Sequence, residues 1–204
     1  IFKQFYKSAP TILSIANGLL TDLKHRCDLD NDDIILVGHS MGGLVIKRLL
    51  LRLKTKKLNH KIRKICFFDV PHEGSGLANA GKYIGLFNRH LKTLTINNSE
   101  LDDLNEQWVD NELDKAFDIL SVIDANETVV SSMSSKSIFR NHGIETINDV
   151  NHSTIVKPVS ENDTVVLVLK DFIKSSRTIN KYSNRASVSY NEWLRHDRRH
   201  SSEF

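Results

Sequence analysis

The sequence predicts an α/β protein: a mostly parallel sheet with helices on both sides. Three observations predict it. Short apolar runs alternate with segments of helical spacing along the 204 residues. The runs Asp33–Val37 and Ile65–Phe68 are almost wholly apolar, the pattern of strands buried on both faces. Between the first run and a helical segment stands Gly38-His39-Ser40-Met41-Gly42-Gly43, which turns a strand sharply into a helix.

The first helix is expected to start at Ser8-Ala9-Pro10, a hydroxyl cap followed by Pro in the first turn. Ile12, Ile15, Ala16, Leu19 and Leu23 keep helical spacing, and Lys24-His25-Arg26 suit a C-terminal dipole. A polar loop at 28–32 leads into the strand. In the helix after the turn, Val45, Leu49 and Leu53 share one face and the basic residues are expected away from it. Ile65–Phe68 is the second strand, and His72 to Gly76 the loop leaving it. The stretch from about 77 to 115 is longer than a crossover needs and reads as two or three helices capping the site. Phe117–Ile123 is the third strand, Ser131–Asn141 a short helix and Ile144–Ile147 a fourth strand. Ser160 to Asp163 reads as a capping box. Val165, Val168, Leu169, Phe172 and Ile173 then make the face of a last helix. The expected division is a domain over 1–175, including the cap, and a basic polar tail or linker over 176–204.

Composition narrows the function. The net charge is +3, and six Arg/Lys against three Asp/Glu from Ser175 onward supply that excess, so the body is near neutral. Such mild charge does not point to nucleic acid. Two cysteines make neither a disulfide framework nor a zinc site; Cys66 is expected buried and Cys27 near a helix end. They mildly favour a reducing compartment. No run approaches the length of a membrane span.

The chemistry lies in three loops at the carboxyl end of the sheet, where α/β sheets bind ligands. The glycines of Gly38-His39-Ser40-Met41-Gly42 fit a nucleophile elbow: Ser40 is held in a strained backbone, and side chains at Gly38 and Gly42 are expected to collide with neighbouring chain. A serine hydroxyl attacks only when a base takes its proton, and the base needs a carboxylate to fix its tautomer. His152, in the loop after the fourth strand, is the expected base. His39 lies inside the elbow and is expected to point away from the serine; His72 precedes the acid's strand and has the wrong order. Two carboxylates compete for the third role. Glu127 stands just before Val129-Val130 and is preferred; Asp124 lies directly at the strand end. The Met41 amide, at the helix N-terminus, is the expected oxyanion donor. The order Ser, acid, His is that of the α/β-hydrolases.

Three pieces carry a resemblance. They are Gly38–Val45, Val70-Pro71-His72-Glu73-Gly74-Ser75-Gly76-Leu77-Ala78, and Asp149-Val150-Asn151-His152-Ser153. Together they resemble the α/β-hydrolase lipases and esterases, and within them the serine-active-site-containing and GPI-inositol-deacylase-like group. The likeness runs from about Ser8 to Ile173. It implies a serine esterase or lipase using no cofactor and no metal, with Ser40 as nucleophile and His152 as base. It leaves the acid open between Asp124, aligned on the strand end, and Glu127, aligned on Val129-Val130. It also implies a lipid or acyl-ester substrate. A cytoplasmic or membrane-peripheral place, peripheral membrane contact and further domains of the same protein are expected alongside it. Members have strands before the elbow, one of whose loops supplies a second oxyanion N–H. Residues 1–32 hold one helix and no convincing strand, so the chain is expected to be the catalytic-site half of its domain. The alternative function is a catalytically inactive, hydrolase-like interaction module within a larger protein.

Overall fold

In the computed structural model the described residues are 11–72, 98–125 and 143–175. The expected helix at 131–141 and the tail from 176 lie outside them. Four strands form one parallel sheet in the order β1-β2-β3-β4: β1 Ile34–His39, β2 Ile62–Phe68, β3 Asp118–Asp124 and β4 Gly143–Ile147. Five helices are described with them: α1 Ile12–Arg26, α2 Met41–Thr55, α3 Asn98–Asp110, α4 Leu113–Ala116 and α5 Thr164–Lys174. Among the described residues no strand precedes β1.

The alternation of side chains along β2 explains the layers. Ile65 and Phe67 join a core with α1, α2 and α3; Cys66 and Phe68 join a second core with α5. A strand covered on both faces must be apolar at every position, as this run is. Burial pushes the Cys66 thiol up to about 12, so it stays protonated. The first core is centred on α2, whose Leu44, Leu49, Leu50 and Leu53 are fully buried. Each such leucine contributes about 1.5–3 kcal/mol. Leu101, Leu104 and Trp108 of α3 share this core, so the described end of the expected cap segment is a helix packed beside α2.

Several local expectations shift. The cap of α1 is Thr11, whose hydroxyl accepts from the Ser14 N–H at 3.1 Å; a threonine one residue past the proline satisfies the same orphan donor. Helix α5 starts from Asp163, not Ser160, although the Asp163 carboxylate accepts from the Val159 and Ser160 N–H groups. Its C-terminal carbonyls are capped from outside: Lys64 of β2 donates to Phe172 O, Ile173 O and Ser175 O. Strand β1 is not buried on both faces, because α5 covers β2 to β4 and leaves Val37 50% exposed.

The largest departure is Lys47. Its place among the basic residues of α2 predicts solvent, yet it is 0% exposed. Helix α3 packs against this side of α2 and encloses it. Its ammonium donates to Asn105 Oδ1 at 2.5 Å and lies 5.3 Å from the Trp108 ring centroid. Burial pulls its pKa from the usual 10.5 down to about 7. Above that pH the folded chain has released a proton that the unfolded chain keeps until about 10.5. Stability from this group therefore rises with pH between those limits, by up to about 1.4 kcal/mol per pH unit. Thermal melts of wild type are expected to improve from pH 7 to 9.5, and Lys47→Met to raise Tm at pH 7 and flatten that rise. A variant whose pH dependence matches wild type would contradict this reading.

Candidate active site at the carboxyl rim of the sheet

The parallel ladder runs one residue past three strand ends. Ser40 N–H donates to Phe68 O, Asp69 N–H to Val122 O and Ala125 N–H to Ile147 O. Register thus sets Ser40, Asp69 and Asp124 along one rim, all three buried. Among the described residues, most of the buried polar side chains stand here, with His72 and His152.

Ser40 joins β1 to α2 with φ 52° and ψ −132°. A non-glycine residue at positive φ is strained by about 1–3 kcal/mol and persists only where surrounding packing dictates it. That packing requires Gly38, as expected, and Gly43 in place of Gly42. A Cβ at Gly38 would lie 2.7 Å from Ile46 Cδ1 and 2.9 Å from the Gly43 backbone. At Gly43 it would lie 2.2 Å from Val70 Cγ2. At Gly42 it would meet nothing within 4 Å. Spacing within the motif suggested Gly42, whereas the first turn of α2 presses Gly43 onto the segment after β2. Met41 opens α2, so its N–H has no intrahelical acceptor, and no acidic residue occupies the first turn. Ser40 Oγ is buried and makes no hydrogen bond among the described residues.

His152 follows β4 in a loop that its neighbours fold. Asn151 Oδ1 accepts from the Ser153 and Thr154 N–H groups at 2.9 and 3.1 Å, and Thr154 Oγ1 accepts from the Asn151 N–H. Ile155 anchors the loop in the second core. The imidazole is buried against the strand that leads to the serine. His39 Nε2 donates to the His152 carbonyl at 2.7 Å, and the two rings lie 4.8 Å apart, centroid to centroid. A carbonyl only accepts, so this bond fixes the proton of His39 on Nε2. His39 turns toward the loop of the expected base and ties it to the strand end.

Of the two expected acids, Asp124 is buried at the end of β3, and Glu127 lies outside the described residues. The ion pair described for His152 is with a third carboxylate, Asp69: Nδ1 to Oδ2 is 3.9 Å. Its Oδ1 accepts from the Asp124 N–H at 2.8 Å. Asp69 is not among the site residues expected from the sequence. Its signal was present: a carboxylate directly after a buried strand, between the serine and the histidine in chain order. His72 is buried with its ring edge-on to Phe67, and its carbonyl accepts from Asn105 Nδ2 at 2.6 Å. Among the described residues no group of three or more His, Cys, Asp or Glu could hold a metal.

A family model described as the PGAP1-like alpha/beta domain matches residues 9–181. The chain belongs to that family. The α/β architecture expected from the sequence stands, as four parallel strands flanked by helices. Curated relatives are Protein SERAC1 of mouse, 31% identical over 160 residues and 72% of this chain, and of human, 28% identical over 174 residues and 79%. The chain spans only about a quarter of their length, 24% and 26%. Solved structures of similar shape include one from a study of carboxylesterases of the thaumarchaeon Nitrososphaera gargenis, with TM-score 0.49 and 12% identity, covering 83% of this chain and 75% of that one. Another is RedJ, a thioesterase of prodiginine biosynthesis in Streptomyces coelicolor, with TM-score 0.46 and 15% identity, covering 80% and 68%.

The two glycines of the turn can be told apart by denaturant melts. Gly43→Ala overpacks against Val70 and is expected to cost about 1–3 kcal/mol. Gly42→Ala enters open space in a helix and is expected to gain about 0.5–1 kcal/mol. Equal effects at both positions would contradict the packing described.

Proposed function

We propose that this chain is a serine hydrolase of carboxylic esters, with a lipid or other acyl ester as substrate. One observation carries the proposal most. Ser40 is held at positive φ where a strand becomes a helix, and the His152 loop is clasped by the residue before it. Strained residues gather at active sites, and this one stands at the sheet rim beside the loop that carries the imidazole.

In the proposed reaction Ser40 Oγ attacks the ester carbonyl carbon while His152 Nε2 takes the hydroxyl proton. The Met41 N–H faces the oxygen on which negative charge develops. The tetrahedral intermediate collapses, the C–O bond breaks, and His152 returns the proton to the departing alcohol. Water then attacks the acyl-enzyme by the same route, freeing the acid and Ser40. A buried carboxylate beside Nδ1 keeps that nitrogen protonated and leaves Nε2 for the serine. Peripheral contact with a membrane, a cytoplasmic or membrane-peripheral place and further domains of the same protein belong to the proposal. Among the described residues no helix is long and apolar enough to cross a membrane.

A second reading, the non-catalytic module, draws on the burial of Ser40 Oγ. A fluorophosphonate probe on the folded full-length protein separates the two. Covalent labelling of Ser40 is expected, lost in Ser40→Ala and slowed by about 10³-fold or more in His152→Ala. A folded protein that takes no label supports the module and contradicts the hydrolase.

A further inference from the structure

The geometry points to Asp69 as the carboxylate that positions the His152 imidazole, an inference that rests on the hydrolase reading. Three features of Asp69 lead there. Its side chain is 0% exposed, and a carboxylate taken wholly out of water must be held by donors. Its two oxygens face two different elements: Oδ1 accepts from the N–H of Asp124 at the end of β3, and Oδ2 faces His152 Nδ1 in the loop after β4. Its backbone stands at φ 42°, a conformation in which Asp is among the least strained residues. That conformation immediately follows the last residue of β2 and sets the side chain on the rim with Ser40.

The chemistry follows from the arrangement. At 3.9 Å the contact is an ion-pair distance, longer than a hydrogen bond. Catalytic hydrogen bonds are often long in the free protein and tighten in the transition-state complex. When His152 takes the proton of Ser40, the imidazolium forms beside a carboxylate already desolvated and anchored by a backbone amide. Before that, the same carboxylate favours the proton on Nδ1 and frees Nε2. Asp69 touches neither ester nor nucleophile, so it is a positioning residue acting through His152. Through the Asp124 N–H it also fixes the end of β3.

Asp69→Asn tests this in the full chain, with p-nitrophenyl butyrate as the ester. Asparagine matches the volume, tolerates positive φ and still offers Oδ1 to the Asp124 N–H, so the fold is expected to survive. The expected result is a kcat lower by about 10²–10⁴-fold with KM nearly unchanged. In a His152→Ala background the same substitution is expected to change the residual rate less than about twofold, because the group it acts through is gone. Asp69→Asn within about threefold of wild type, or equal losses in both backgrounds, would overturn the proposal. Wild-type hydrolysis no faster than that of Ser40→Ala would remove the hydrolase reading itself, and this inference with it. Should Asp69→Asn not fold, ¹⁵N NMR of His152 in the wild-type chain decides. The Nδ1–H tautomer supports the role, and the Nε2–H tautomer overturns it.

Discussion

The close approach of α2 to the ends of β1 and β2 is the constraint on which this structure depends. It is possible only because Gly38 and Gly43 carry no Cβ where Ile46, Val70 and Phe67 press in. The approach leaves Ser40 too little chain to turn in, and the residue takes the strain as a positive φ. Burial of the leucines of α2 outweighs that strain several times over. A large apolar helix thus holds one residue in a conformation it would not keep alone.

The same geometry gathers the polar groups. In a parallel sheet every strand ends at one rim, so loops distant in sequence are neighbours in space. Here the ladder bonds of Ser40, Asp69 and Ala125 fix three of those loops at matching levels. The fourth loop, holding His152, is tied down by His39 rather than by the sheet. Burial removes water from this cluster, which strengthens every interaction within it and makes each buried group costly unless partnered.

What was legible in the sequence was what depends on pattern. Apolar runs revealed all four strands to within a few residues, and the 3.6-residue period revealed α1, α2 and α5. That Ser40 and His152 each follow a strand at the same rim was legible from motif and chain order. What escaped depends on which element packs where. Lys47 lies at a polar position of its own helix, and only the docking of α3 buries it. Val37 lies in an apolar run, and its exposure follows from the reach of α5. Gly42 and Gly43 look alike in a motif, and their difference is a matter of which side faces Val70. Asp69 was passed over because a strand's last residues are read for where the strand stops, not for what they carry beyond it.

The central claim is that the Ser40 turn and the His152 loop form one reacting centre. A crystal structure of the full chain after reaction with a fluorophosphonate tests it most directly. The account predicts phosphorus bonded to Ser40 Oγ, a phosphoryl oxygen directed at the Met41 N–H, and His152 Nε2 within hydrogen-bonding reach of the adduct. Phosphorus on another residue, or an imidazole of His152 turned away from the adduct, would contradict it.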